Sequence, residues 1–424
     1  MFDSMAHDGV KRPGTREMTA MLAALMGLNS FAIDAMIPAL PAIGRSLHVL
    51  DQNERQLVVI AYFLGFASTQ LIWGPLADRF GRKPVLAAGV TLYATFALLC
   101  ALAGSFSLLI ASRFAMGASA AVTRVLVVAM VRDLFEREAM ARVMSLVFMV
   151  FMLMPVLAPN IGLAILAVAP WQAIFGALAA YAILMLLWSW SRLPETLHPE
   201  YRRSLHLGDM AGAVWETVKE PQSRGYTIAM TISFGGLVAY IASIQQIVFD
   251  AFHRPHLIGA VFAAIAAPMA IASWANSRVV GKFGLRRVGH IATAAFMGVS
   301  LVHVGVALSG HETLAIFVLL QALTMCAFAF TSSNLSTLAM EHVAPIAGTA
   351  SSVQGMIGTV GAAILGFLIG RGFDGTVLPY VIGTAGCAVG GFAALVLTEP
   401  TRLFERIGRE PDEPSLPTIP EEVV

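Results

Sequence analysis

Apolar residues in this chain come in long, nearly unbroken runs, not in the alternating or every-third-residue patterns of soluble strands and helices. A helix needs about 20 mostly apolar residues to cross a bilayer. Twelve stretches meet that length: Thr19–Ala42, Gln56–Ala77, Pro84–Gly104, Ser107–Val131, Val143–Val168, Trp171–Leu193, Tyr226–Asp250, His256–Asn276, Val288–Leu308, Thr313–Ala339, Ile346–Gly370 and Val377–Thr398. The longest polar segment, residues 194–225, separates the sixth stretch from the seventh and sets a six-span unit at 19–193 against a second at 226–398. The first stretch is too long for a cleaved signal, lacks a small-residue cleavage site and carries an acid, so a retained span is expected. An 18-residue tail precedes it, and the proline-rich acidic tail at 399–424 has too little apolar character to pack. The pattern predicts an all-α integral membrane protein.

Composition excludes most alternatives. Of 424 residues, 57% are hydrophobic and 12% charged, with a mean hydropathy of +0.75; soluble domains carry about 25% charge. With 27 basic against 26 acidic residues there is no basic excess for nucleic acid. Cys100, Cys326 and Cys387 sit in apolar runs without paired spacing, so neither a disulfide framework nor a zinc site is indicated. No Walker loop, metal-ligand cluster or nucleophile constellation occurs, so neither an enzyme nor a cofactor is expected. Basic residues set the orientation. With the N-terminus inside, 21 of the 27 fall on inner segments, four on outer ones, and Arg113 and Arg124 within spans. Both termini are therefore expected in the cytoplasm.

The second-to-third junction reads Gly74-Pro-Leu-Ala-Asp78-Arg79-Phe-Gly81-Arg82-Lys83. Any short inner loop is basic, yet this one resembles the signature loop of the major facilitator superfamily. A degraded copy, Arg278-Val-Val-Gly281-Lys282-Phe283-Gly284-Leu285-Arg286, joins the eighth and ninth stretches, with Gly281 in place of the acid. The resemblance implies two pseudo-symmetric six-helix bundles with a substrate site between them near mid-membrane. It also implies a cytoplasmic gate at Gly74, Asp78, Arg79, Gly81 and Arg82. There Asp78 would be held by the positive helix start near Gly348 and latch the halves; the plain alternative is interfacial anchoring.

Further stretches narrow the resemblance to the Bcr/CflA, or bicyclomycin-resistance, type of drug:proton antiporter. They are Asp34-Ala-Met-Ile-Pro38-Ala-Leu-Pro41, Ser112-Arg113-Phe-Ala-Met-Gly117, Thr331-Ser-Ser-Asn334 and Ala347-Gly348-Thr-Ala-Ser351. In the fifth stretch Pro155, Pro159 and Gly162 keep the antiporter pattern, but Leu163 stands where a second glycine is usual. The resemblance implies a proton-driven exporter, working as a monomer in the inner membrane, with protons, lipid and a small molecule as its partners. A symporter importing a metabolite and a non-transporting sensor are the rival readings.

An ionisable group at the membrane core costs at least ~2.5–3.5 kcal/mol on translocon scales and so needs a reason. Asp34 and Arg113 lie at comparable depth from the outer face, which allows a direct pair. The resemblance assigns them proton coupling: Asp34 would carry the proton and Arg113 would tune it; the alternative is a static ion pair. Arg124 follows Arg113 by eleven residues, nearly the same helical face; it would either attract an anionic substrate or snorkel to the interface. Asn29, Tyr62, Gln70, Gln245, Gln246, Asn334 and Gln354 are cavity candidates, although amides also join helices in membranes. His303 reads as a packing residue.

Overall fold

The computed structural model describes residues 14–135, 137–197, 200, 207–400 and 403–404, so most of both expected tails lies outside the described residues. Regular structure among these residues is entirely helical. Eleven helices are long and apolar enough to cross a membrane. They are Thr15–Ser46, Gln52–Phe80, Arg82–Ala101, Phe106–Leu134, Gln172–Arg192, Pro221–Ala251, Pro255–Phe283, Leu285–Leu308, Leu314–Val343, Gly348–Arg371 and Leu378–Thr398. Between the fourth and Gln172–Arg192 runs another helix, Arg137–Val168, whose described apolar stretch is Leu153–Val168. We number these twelve in chain order as spans 1 to 12. Their alternation puts the first and last described residues on one face of the bundle, the termini face.

Local chemistry explains the helix starts. Ser105 and Thr313 accept hydrogen bonds from Leu108 N and Ile316 N at the heads of spans 4 and 10. Glu220 caps Ser223 N while Pro221 takes the first helical position of span 7. Several boundaries depart from expectation, span 5 beginning at Arg137 in place of Val143 among them. Span 8 continues to Phe283, beyond Asn276, because backbone hydrogen bonds persist where hydropathy has already fallen. The segment between the bundles is not simply polar loop: Leu207–Lys219 forms a helix with Trp215 exposed, and span 7 begins at Pro221.

Within the N-terminal bundle, spans 2 and 4 pack along their length. Gly65 and Gly117 make this possible, because a Cβ at either would overlap the Phe114 or Tyr62 carbonyl oxygen across the interface. Span 7 packs on spans 11 and 12 in the other bundle, and the two halves meet where span 2 touches span 11 and span 5 touches span 8. An apolar cluster reaches across the halves, combining Ile37 of span 1 with Tyr240, Ile244 and Phe262 of spans 7 and 8.

Candidate functional site

Span 1 is not one regular helix. Its α-helical part ends at Asp34, a short tighter turn follows over Ile37–Ala39 around Pro38, and helix resumes at Leu40. Proline lacks the N–H that would continue the ladder, so the break falls just beyond the acid. Asp34 is 3% exposed and accepts a hydrogen bond from Ser30 Oγ at 3.1 Å, one turn back. It lies within electrostatic reach of Tyr62 in its own half and of Tyr240 across the interface. The Tyr240 hydroxyl is buried without a hydrogen-bond partner among the described residues.

The ion pair between Asp34 and Arg113 that matched depth allowed does not form. Arg113 is wholly buried and donates to main-chain carbonyls instead, from Nε to Val58 O at 2.9 Å and from Nη1 to Ala32 O at 3.2 Å. Its guanidinium also lies over the rings of Tyr62, 4.6 Å from the centroid, and Phe175, at 5.7 Å. Depth along a helix says nothing of azimuth, and carbonyls freed near the break in span 1 are ready acceptors for a buried cation. Arg113 therefore holds spans 1, 2 and 4 together two residues from Asp34.

The other cavity candidates separate into groups. Tyr62 Oη donates to Asn29 Oδ1 at 3.1 Å and Asn29 Nδ2 donates to Thr123 Oγ1 at 2.7 Å, a buried relay joining spans 2, 1 and 4. Gln246 belongs to a different structure, a polar clasp on the face opposite the termini. It donates to Asn53 Oδ1 at 2.7 Å and accepts from Gln56, which also donates to Gly370 O at 2.9 Å. Asn53 in turn donates to Arg371 O and Phe373 O. Gln70 reaches Thr359 of span 11 at mid-membrane. Asn334 pairs with Asn276, and Gln354 donates to Ser223 Oγ and Ala339 O, both within the C-terminal half. Gln245 is fully buried with neither amide atom hydrogen-bonded among the described residues. His303 is more than a packing residue, since its Nε2 lies 2.7 Å from Glu312 Oε1.

The gate loop differs from expectation in its partners. Asp78 lies 2.8 Å from Arg82, one turn on, and Arg82 also meets Asp133 of span 4 at 3.3 Å. Glu195, just past span 6, accepts from Arg82 N and Lys83 N at the head of span 3, where a helix start favours an anion. Gly81 makes the turn at φ +102°; Arg79 stacks on Phe80. Asp78 is thus bound inside its own half, and among the described residues it makes no latch onto the start of span 11. The named side-chain bonds across the halves run from the clasp down to mid-membrane.

In span 5, both Pro155 and Pro159 lie within a continuous helix. A Cβ on Gly162 would overlap the Ala35 carbonyl oxygen, so this glycine admits the break of span 1 beside Asp34. Leu163 does not loosen the contact with the other half: it packs on the apolar cluster of spans 7 and 8. The close approach is supplied from the opposite side, where Asn160 fits over Gly259 of span 8. Ser30, Thr123, Tyr240, Asn53, Gln56, Glu195 and Gly259 escaped the sequence reading. Ser30 carried a signal, one turn before an acid in an apolar run; the others are identified only by their partners.

The Major Facilitator Superfamily profile matches residues 22–367. The chain is 32% identical over 372 residues to the bicyclomycin resistance protein homolog of Haemophilus influenzae, covering 87% of this chain and 92% of that protein. It is 35% identical over 173 residues to the multidrug resistance protein MdtL of Escherichia fergusonii, covering 41% and 44% respectively. Among solved structures, a D-xylose–proton symporter superposes with a TM-score of 0.70 at 14% identity, covering 92% of this chain and 98% of that one. That likeness speaks to the fold.

Proposed function

Because the chain belongs to the Major Facilitator Superfamily and is a membrane transporter, not an enzyme, we propose that it exports drugs or other small amphipathic molecules from the cytoplasm in exchange for protons. The printed functions of the bicyclomycin-resistance and multidrug-resistance relatives support export of drugs. Twenty-one of 27 basic residues on the termini side support a cytoplasmic location for both ends, in the inner membrane of a bacterium. A monomer of two six-helix units at 19–193 and 226–398 would rock about the central site.

The observation that carries the reading is Asp34: a carboxyl buried at a break in span 1, bonded to a neutral serine and free of any ion pair among the described residues. A buried carboxylate without a cation is costly, so exposure of this break to one side or the other couples its proton to the conformation. In outline, the clasp at Asn53, Gln56 and Gln246 closes the outer side while cargo enters from the cytoplasm. Cargo binding and release of the Asp34 proton inward then favour opening outward, where cargo leaves and a proton returns. Inward proton flow at a membrane potential of about 100 mV supplies ~2.3 kcal/mol per charge.

The test is counterflow in proteoliposomes with an imposed pH gradient. Asp34→Asn is expected to abolish gradient-driven export while leaving cargo binding measurable. Undiminished gradient-driven export by this variant sinks the proton-coupling role.

A further inference from the structure

Arg124 is the charge the mechanism above does not use. It lies well inside span 4, ten residues before the helix ends at Leu134, or ~15 Å from that end at 1.5 Å per residue. It is exposed, and among the described residues it makes no hydrogen bond or ion pair, nor does any charged neighbour bear on it. An exposed arginine at this depth faces either lipid or water, and its flanking residues decide which. Thr123, just before it, is bonded to Asn29 of span 1. Val125, just after it, lies against Gly74 of span 2, and Val122 packs on Gly89 of span 3. Steps of ~100° per residue therefore aim Arg124 into the wedge between spans 1 and 2, on the face from which Arg113 bonds those same spans. That direction is the interior of the bundle. An exposed side chain there borders a cleft, whereas snorkelling would require it to run out along lipid.

A lone guanidinium on the wall of a narrow, low-dielectric cleft focuses a positive potential. Its planar fork of donors matches the two oxygens of a carboxylate. We infer that Arg124 is a substrate-selecting residue that binds the carboxylate of anionic or zwitterionic amphiphiles, with the buried Tyr62–Asn29–Thr123 relay packed behind the wall that carries it. The inference rests on the transporter reading of the same cleft and specifies the charge of its cargo. Cargo bearing only a positive charge is disfavoured at this point, because no carboxylate among the described residues offsets Arg124.

The test uses a matched pair of fluorescent probes, N-dansyl-leucine and its methyl ester, which differ in one carboxylate. Binding to the purified full-length protein in detergent is read by dansyl anisotropy, without any gradient, so it is independent of direction and proton coupling. The wild type is expected to bind the acid about tenfold more tightly than the ester, the worth of one charge-assisted contact. Arg124→Gln should erase that preference and leave ester binding within about twofold, and Arg124→Lys should restore part of it by returning the charge without the fork. A wild type that binds acid and ester equally overturns the inference without reference to any variant, as does an Arg124→Gln protein that keeps the preference. Loss of proton-driven export with the preference intact would instead strike at the proposed function alone.

Discussion

Arg82 in the N-terminal half meets Asp78 at 2.8 Å and Asp133 at 3.3 Å, with Glu195 bonded to the helix start beside it. Arg286, at the matching turn of the C-terminal half, meets Glu399 at 3.1 Å and Glu341 at 3.9 Å. The two turns share a construction. Gly81 and Gly284 both take positive φ, +102° and +84°, ahead of a buried arginine. Each arginine finds one acid at the end of the fourth span of its half and has another just past the sixth close by. The exposure of the acids differs. Asp78 and Asp133 are 37% and 21% exposed, whereas Glu399 is 2% exposed and Gly281 stands where the second Asp78 would be. A half-exposed network loses little when remade, because water takes over its charges. A sealed pair cannot be opened at that cost. The N-terminal turn is accordingly the cheaper of the two to remake, and the sealed pair of the C-terminal turn holds spans 9 and 12 together.

The largest expected effect comes from breaking the sealed pair. Glu399→Ala leaves Arg286 buried without its closest anion, and breaking such a pair costs about 3–5 kcal/mol. A melt of the detergent-purified protein should show a marked fall in midpoint, and an unchanged midpoint would remove the distinction between the turns. Next comes Gly81→Ala. Its backbone lies in a region that other residues occupy at about 1–3 kcal/mol, and the new Cβ would displace the Glu195 carboxylate. It should destabilise less than Glu399→Ala and slow transport as well. Asp78→Asn is expected to change stability least, by under about 1 kcal/mol, while lowering the transport rate in the same vesicles. A melt shifted as far as that of Glu399→Ala would show the exposed network to be structural after all.

The number of spans, the split into two sixes, the repeated turn and the residue types that needed explaining could all be read along the chain. Each follows from a local property: a run of apolar side chains long enough to cross lipid must satisfy its own backbone as helix, and a glycine at a tight turn leaves its mark in one position. Partners were another matter. Asp34 bonds to Ser30 and not Arg113, Asp78 turns to Arg82 and not to span 11, and Gln246 joins a clasp on the face opposite the termini in place of the central cavity. The glycine missing beside Leu163 is supplied by Gly259 on another span. Hydropathy sets which segments enter the membrane but is blind to the azimuth of a side chain and to which helix lies opposite. Those depend on close packing of the whole bundle, where a single glycine or a freed carbonyl selects the neighbour.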